Sequence, residues 1–344
     1  MALKRKPTLA DVARKAGVSA TTASYILNGR STQMRISADA QQRVRDAVAD
    51  LGYRPNRSAR SLRTATTKTV GLISDFVASG QFASQMVTGA SAAARGLDHL
   101  LVIGETEGDP DVERLLIEEM LDRQVDGIIY ARLVTSTTTA PPMLDQRGAV
   151  LLNCVDPRSS LPAVLPDELD GGRTAAGAVL DAGIDHGVFV VGEDPTPDAI
   201  AGALRVQGVC ERLAEAGASL AGVVACDWSV NAAFAAVDAW LAGGARPRAL
   251  VCLNDRIAMG CYQALAAHGL DVPDDVAVVS FDGSDLAGWL RPQVTSVALP
   301  YAELGARAVQ LLLDPEGSRA GVLRLRMPLA EGGSVRRRPA DVHA

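Results

Sequence analysis

The sequence predicts an all-α helix-turn-helix head followed by a larger α/β body, and three observations support this fold class. Residues 9–28 contain two short segments of helical period around a tight turn. From Val70 onward, apolar runs typical of strands alternate with amphipathic helical segments. The charge is divided in the same way: residues 1–68 hold 14 lysines and arginines against 4 acidic residues, whereas the other 276 residues hold 20 against 36. The head therefore has a net charge of +10 and the body one of −16.

The first helix of the head has one apolar stripe, which consists of Leu9, Val12, Ala13 and Ala16. Gly17 can adopt the positive φ that ends a helix, and Ser19 can cap the next one. This second helix turns three apolar side chains inward, namely Ala23, Ile26 and Leu27. Its outward face is formed by Ala20, Thr21, Ser24 and Tyr25. An ordinary αα-corner would share the pattern, but the basic charge favours a DNA-binding module whose second helix enters the major groove.

A third helix completes the predicted head, with Ser37 as its cap and Gly52 at its end. Its apolar face consists of Val44, Ala47, Val48 and Leu51. The loop before it contains Arg30 and Arg35, which either contact DNA phosphates or face solvent.

The body contains two series of predicted strands. The first series comprises residues 70–73, 100–103, 125–130 and 150–153, and the second comprises residues 188–192, 222–225, 249–253 and 276–281. Helical segments separate them, and one begins at Asp109-Pro110, a capping carboxylate followed by proline in the first turn. This alternation predicts parallel sheets covered by helices on both faces.

Several classes of protein are disfavoured by the sequence. No apolar run approaches the roughly 20 residues that span a bilayer, and the basic N-terminus lacks the apolar region of a secretory signal. The five cysteines form no CxxC motif, and we expect buried free thiols in a reducing cytoplasm. GxGxxG, P-loop and GxSxG motifs are absent, so the sequence predicts neither an enzyme, a cofactor nor a metal site.

Polar residues follow several of the predicted strands, where open α/β sheets bind ligands. They are Asp75, Asn254, Asp255 and Asp282. Each could instead cap the following helix, and for Asp255 we favour the capping role.

Ordered motifs in the head resemble the lactose-repressor (LacI/GalR) family. They are Thr8-Leu9-Ala10-Asp11-Val12-Ala13, Ala16-Gly17-Val18-Ser19, Leu27-Asn28-Gly29, Leu51-Gly52-Tyr53-Arg54-Pro55-Asn56 and Ala59-Arg60-Ser61-Leu62. The resemblance implies a helix-turn-helix domain (1–55), a hinge helix and linker (56–69) and a two-lobed, periplasmic-binding-protein-like body (70–344). The lobes would comprise about 70–166 with 298–325, and about 167–293 with 326–344.

The resemblance, the outward face of the second helix and the two loop arginines together give the candidate DNA contacts. They are Thr8, Leu9, Ser19, Ala20, Thr21, Thr22, Ser24, Tyr25, Asn28, Arg30, Arg35, Tyr53, Asn56, Arg57, Ala59, Arg60 and Leu62. Leu62 is expected to act as a wedge in the minor groove, which would kink the duplex.

The effector site implied by the resemblance consists of Asp75, Phe82, Arg205, Trp228, Asn254 and Asp282, although Trp228 could instead pack in the core. Such groups suit a polar ring such as a sugar, although a nucleoside or purine would satisfy them equally. This chain departs from the family at Asp167-Glu168, where the family usually has Asp-Asn. It also departs at Gly183-Ile184-Asp185-His186 and within Glu331-Gly332-Gly333, so effector identity does not carry over.

We therefore expect a cytoplasmic, nucleoid-associated transcriptional regulator, a repressor that binds a pseudo-palindromic operator as a homodimer and responds to a small polar effector. Two other classes are weighed against it. A binding protein of the periplasmic type would share the body but would have an export signal and no basic head. An α/β enzyme with a DNA-binding head would need a catalytic motif.

Overall fold

The computed structural model describes residues 7–54, 66–76, 84–194, 196–314 and 321–336. The chain forms two compact units, Met1–Thr67 and Lys68–Ala344. We call them the head and the body.

The described head contains three helices, α1 (Leu9–Ala16), α2 (Ala20–Leu27) and α3 (Ala38–Leu51). Each begins at a hydroxyl cap, because the side chains of Thr8, Ser19 and Ser37 accept hydrogen bonds from backbone N–H groups of the first turn. The buried core of the head is rich in small residues. It consists of Val12, Ala13, Ala16, Ala23, Ile26, Val44 and Ala47. The predicted helix-turn-helix is confirmed.

The first sheet of the body has six parallel strands within the described residues. They are β1 (Thr69–Ser74), β2 (Leu100–Glu105), β3 (Gly127–Thr137), β4 (Ala149–Val155), β5 (Ala163–Pro166) and β11 (Val322–Leu325), in the spatial order β11-β5-β4-β3-β1-β2. Three α-helices of the described residues accompany this sheet, namely α4 (Ser84–Gly96), α5 (Pro110–Asp122) and α11 (Tyr301–Leu313). We call this assembly the first lobe.

The second lobe is built around another described sheet of six strands. They are β6 (Val188–Val191), β7 (Gly222–Val224), β8 (Ala249–Cys252), β9 (Ala277–Asp282), β10 (Thr295–Ala298) and β12 (Leu329–Ala330), in the order β12-β10-β9-β8-β6-β7. Only β12 is antiparallel to its neighbour in this sheet. The helices here are α6 (Glu168–Asp181), α7 (Ala201–Glu215), α8 (Val230–Ala242), α9 (Asp255–Ala267) and α10 (Asp285–Trp289). The predicted parallel sheets are confirmed.

Helices α6 and α7 approach closely because glycines lie at their contact. A Cβ atom on Gly172 would overlap the carbonyl oxygen of Arg205, and one on Gly208 would overlap that of Leu169. The two backbones therefore touch directly, which fixes the spacing of the helices.

Strand β3 is longer than predicted and reaches the second lobe. Its last residues pair with residues 198–200: the Ile200 N–H donates to the Thr135 carbonyl at 2.9 Å, and the Thr137 N–H donates to the Asp198 carbonyl at 2.9 Å. An antiparallel bridge joins Ser136 to Ala199. We call this pairing the interlobe bridge.

Two other sequence expectations are tested by the fold. Four cysteines are buried as expected, but Cys210 is exposed, because it lies on the outer face of α7. No helix among the described residues is long and apolar enough to cross a membrane.

Candidate functional site

The DNA-binding candidates at helix starts are engaged in capping. The Ser19 Oγ accepts a hydrogen bond from the Thr22 N–H at 3.0 Å and lies 2.8 Å from the Thr22 Oγ1. Thr8 caps α1, and its own N–H donates to the Asp11 carboxylate at 2.9 Å. These bonds fix where α1 and α2 begin.

The outer surface of α2 is formed by the other predicted contacts. Ala20 and Thr21 are exposed, whereas Ser24, Tyr25 and Asn28 are half-buried. The Asn28 Nδ2 donates to the Ser24 carbonyl at 2.7 Å and closes the end of the helix. The helix therefore presents small and hydroxyl-bearing side chains beside one tyrosine.

The remaining candidates of the head fall into two groups. Arg30 and Arg35 are exposed in the loop after α2, and Leu9 and Tyr53 pack against the head core. Several predicted site residues lie outside the described residues, namely Asn56, Arg57, Ala59, Arg60, Leu62 and Phe82.

The body contains a cavity of about 220 Å³ lined by both lobes. The first lobe contributes Thr135 of β3, Asn153 of β4 and Tyr301 of α11. The second lobe contributes Glu168 of α6, Arg205 of α7 and Asp282 of β9. Trp228 and Arg256 also line it. Of the predicted effector contacts, the structure thus brings together Arg205, Trp228 and Asp282.

Asp75 does not line this cavity. Its Oδ1 accepts hydrogen bonds from the Phe76 N–H at 2.7 Å and the Leu133 N–H at 2.9 Å, and its Oδ2 lies 3.8 Å from Arg132. Burial raises the pKa of Asp75, while these partners oppose the shift. The carboxylate therefore fastens β1 to β3.

Neither Asn254 nor Asp255 has its expected role. The prediction that Asp255 caps α9 is wrong, because the Asn254 Oδ1 accepts the Ile257 N–H at 2.8 Å and is itself the cap. Asn254 does not line the cavity. Asp255 is buried and accepts hydrogen bonds from Ser280, Ser284 and Ser296, so it joins β9, β10 and the start of α10.

Arg205 and Glu168 form a buried ion pair in the wall of the cavity. The Arg205 Nε lies 2.7 Å from one Glu168 oxygen and Nη2 lies 3.2 Å from the other. Their side chains are 2% and 0% exposed. The Arg205 Nη1 donates to the Leu253 carbonyl at 2.5 Å, and its Cζ lies 4.5 Å from the centre of the Phe281 ring.

Glu168 also connects the lobes. The Thr135 Oγ1 lies 2.7 Å from Glu168 Oε1 and 2.8 Å from Asn153 Oδ1. The Asn153 Nδ2 donates to the Arg132 and Leu133 carbonyls, both at 3.0 Å, which fixes its orientation. No sequence motif predicts a role for Glu168, Thr135, Asn153, Arg256 or Tyr301. For Glu168 alone there is a signal, since it stands where the family usually has the asparagine of Asp-Asn.

Asp282 combines an unusual backbone with an unusual acidity. Its φ is 99°, a conformation that side-chain-bearing residues rarely adopt and that is common at ligand sites. Burial, and next the charge of Asp255, raise the pKa of Asp282 to about 8. Near neutral pH this carboxyl group is therefore mostly protonated and can donate as well as accept a hydrogen bond.

Trp228 supplies an aromatic surface to the cavity. Its ring centre lies 5.5 Å from the Arg205 Cζ. Its Nε1 is buried and has no hydrogen-bond partner among the described residues. A ligand with an acceptor oxygen could satisfy this N–H.

Comparison with known proteins gives consistent results. Residues 8–56 match the family described as bacterial regulatory proteins, lacI family, and residues 176–335 match a periplasmic binding protein-like domain. The chain is 30% identical over 308 residues to catabolite control protein A of Priestia megaterium, covering 89% of this chain and 91% of that protein. It is 30% identical over 313 residues to the ribose operon repressor of Escherichia coli (strain K12), covering 89% and 92%.

The fold is similar to that of a crystal structure of the lac repressor dimer bound to operator and the anti-inducer ONPF. The TM-score is 0.82 at 24% identity, and the match covers 96% of this chain and 99% of that one. Together, these relatives and the helix-turn-helix head show that the chain belongs to the lacI family of bacterial regulatory proteins and is a DNA-binding transcriptional regulator.

Proposed function

We propose that the protein is a repressor that binds a pseudo-palindromic operator as a homodimer, and that a small polar effector in the cavity controls its affinity for DNA. The observation that carries the proposal is the make-up of the cavity wall, where Thr135 and Asn153 of the first lobe meet Glu168 and Asp282 of the second. A ligand that touches both lobes binds one lobe arrangement better than another. Operator and effector then change each other's affinity by the same factor.

The effector is a single polar ring, with an uncharged sugar as the first candidate. Carboxyl, guanidinium and phenol groups distinguish hydroxyl positions, while the face of Trp228 can cover the apolar side of the ring. A cavity of about 220 Å³ is smaller than the roughly 300–1,000 Å³ of typical ligand pockets, which suits one ring better than a chain of rings. A nucleoside is the second candidate. The name of the ribose operon repressor, a similar protein, supports the sugar.

The DNA-binding surface is the outer face of α2 with the loop after it. Ala20, Thr21 and Tyr25 would face base edges in the major groove, and Arg30 and Arg35 would contact phosphates. Asn56, Arg57, Ala59, Arg60 and Leu62 would supply the hinge contacts, with Leu62 as the wedge. The domain boundaries given above and a cytoplasmic, nucleoid-associated location belong to the same proposal.

The homodimer is proposed to form along the edge strand β2. Leu100, Val102 and Ile103 of this strand are exposed, as are Leu97 just before it and Leu115 on α5. An apolar edge strand of this kind needs a covering partner. A second copy of the chain is the partner that matches a two-fold symmetric operator.

The test uses the full chain and DNA from upstream of its own gene, with a random duplex for comparison. We expect the upstream DNA to bind more tightly, and Arg30→Ala to lower the salt dependence by about one phosphate contact. Uncharged monosaccharides and nucleosides are then added singly. At least one should change the operator affinity by about 5- to 150-fold.

Asp282→Ala, which removes both the donor and the acceptor, should retain operator binding without effector and lose the response. The matched control is Asp274→Ala, whose carboxylate pairs with Arg336 on the surface, and this variant should respond like the wild type. If Asp282→Ala responds normally, the effector binds elsewhere.

A further inference from the structure

The guanidinium of Arg205 is already matched by a carboxylate of the chain itself. The two carboxylate oxygens of Glu168 accept hydrogen bonds from the Arg205 Nε and Nη2. This is the bidentate geometry that an acidic ligand would otherwise use. Both side chains are almost completely buried, so water does not screen the pair. The position at which a carboxylate or phosphate would meet Arg205 is thus occupied.

Glu168 cannot easily swing away from this position. Its Oε1 also lies 2.7 Å from the Thr135 hydroxyl, which belongs to the other lobe. The helices that carry Glu168 and Arg205 touch at Gly172 and Gly208, so their spacing is fixed by backbone contact. The ion pair is therefore built into the wall.

The pair still leaves hydrogen-bonding capacity for a neutral ligand. A guanidinium has five N–H groups, and Glu168 and the Leu253 carbonyl take three of those on Arg205. Arg256 and Asp282 also line the cavity, and the charge of Arg256 opposes the rise in the pKa of Asp282. The pairing of a guanidinium with an ionised carboxylate therefore concerns Arg205 and Glu168.

We propose that Glu168 sets the charge class of the ligand: because its carboxylate occupies the fork of Arg205, the cavity accepts an uncharged hydroxyl-bearing ring and rejects ligands with a carboxylate or phosphate at that point. This inference rests on the proposed function, since it concerns the same cavity. Without Glu168, the guanidinium of Arg205 would instead favour an anionic ligand.

The experiment uses sulfate as the anionic probe and thermal unfolding of the full chain as the measurement. Glu168→Asn removes the carboxylate from Arg205 and leaves room for an anion, whereas Glu168→Gln removes the charge but still fills the position. Glu168→Asn should show a saturable rise of several degrees in Tm with sulfate compared with chloride at equal ionic strength, because the anion replaces the missing carboxylate, and Glu168→Gln should show a smaller rise. The wild type should show no such rise.

Sulfate also stabilises proteins generally, so a matched control is needed. The double variant Glu168→Gln/Arg205→Met removes both charges and measures that general effect. A saturable excess in the wild type would overturn the proposal, as would its absence in Glu168→Asn. If the single variants fold only in sulfate, the proposal is supported, and if sulfate does not restore folding, it is overturned.

The operator plays no part in this measurement. Failure of the proposed function would be seen separately, as an operator affinity that no uncharged ring changes. The two results can therefore be told apart.

Discussion

Among single residues, Asp282 lines the cavity and also makes the free energy of unfolding of the body depend on pH. Its pKa is raised from 3.8 to about 8 by burial and by Asp255, with Glu168 adding to the rise and Arg205 and Arg256 opposing it. Between these values the folded protein keeps a proton that the unfolded chain has released. The free energy of unfolding therefore falls as the pH rises from 3.8 to about 8, and this contribution is constant above that range.

We expect Asp282→Asn to gain stability relative to the wild type as the pH is raised from about 5 to about 8, by at most about 1.4 kcal/mol per pH unit. Asparagine tolerates the positive φ at this position, so the backbone should not change. Urea unfolding of both proteins at several pH values measures the difference. A difference that is independent of pH would mean that Asp282 is ionised in the folded state.

The site could be predicted from the sequence only in part. Asp282 follows a strand and lines the cavity, but Asp75 and Asn254 also follow strands and do not, because nearby backbone N–H groups take their side-chain oxygens. A polar residue that follows a strand also precedes the next helix. Its position in the sequence therefore does not show whether its side chain lines the cavity or binds backbone N–H groups. Glu168 acts through Arg205, which is 37 residues away, and local patterns cannot reveal such a pair.

Among the elements, four strands of the body were not predicted. They are β5, β10, β11 and β12, and they lie in or next to the boundaries of the predicted lobes, near 166, 293–298 and 325. Their length does not explain this, because β6, β7 and β8 are equally short and were predicted. Pairing with a distant part of the chain does: Val322 of β11 pairs with Ala163, and a local pattern does not reveal such a partner.

The interlobe bridge leads to a prediction about hydrogen exchange. If the lobes separate in the free protein, the amides of Thr137 and Ile200 lose their acceptors, whereas that of Ile129 inside the first sheet does not. We expect the two bridge amides to exchange at least about tenfold faster than Ile129. Amide exchange followed by mass spectrometry or NMR measures this. Equal protection of all three would show that the bridge does not open independently.

For the whole molecule, the proposed dimer predicts different outcomes at the two edges of the first sheet. Ile103 on β2 and Leu323 on β11 are 40% and 37% exposed, so they form a matched pair. Ile103→Lys should give monomers in sedimentation experiments and weaken operator binding at least about tenfold, because a charge cannot be buried in an apolar interface. Leu323→Lys should remain dimeric. The opposite pattern would place the interface at β11.

The glycine contact between α6 and α7 has a consequence for how new ligand preferences arise in evolution. Gly172 and Gly208 let the two backbones touch, so the spacing of the helices does not depend on the side chains that face the cavity. A substitution at Glu168 can then change which ligand binds without changing the spacing of the helices. A larger residue at either glycine, in contrast, forces the helices apart. In a library of random variants, functional descendants should differ at the cavity wall and agree at these two glycines.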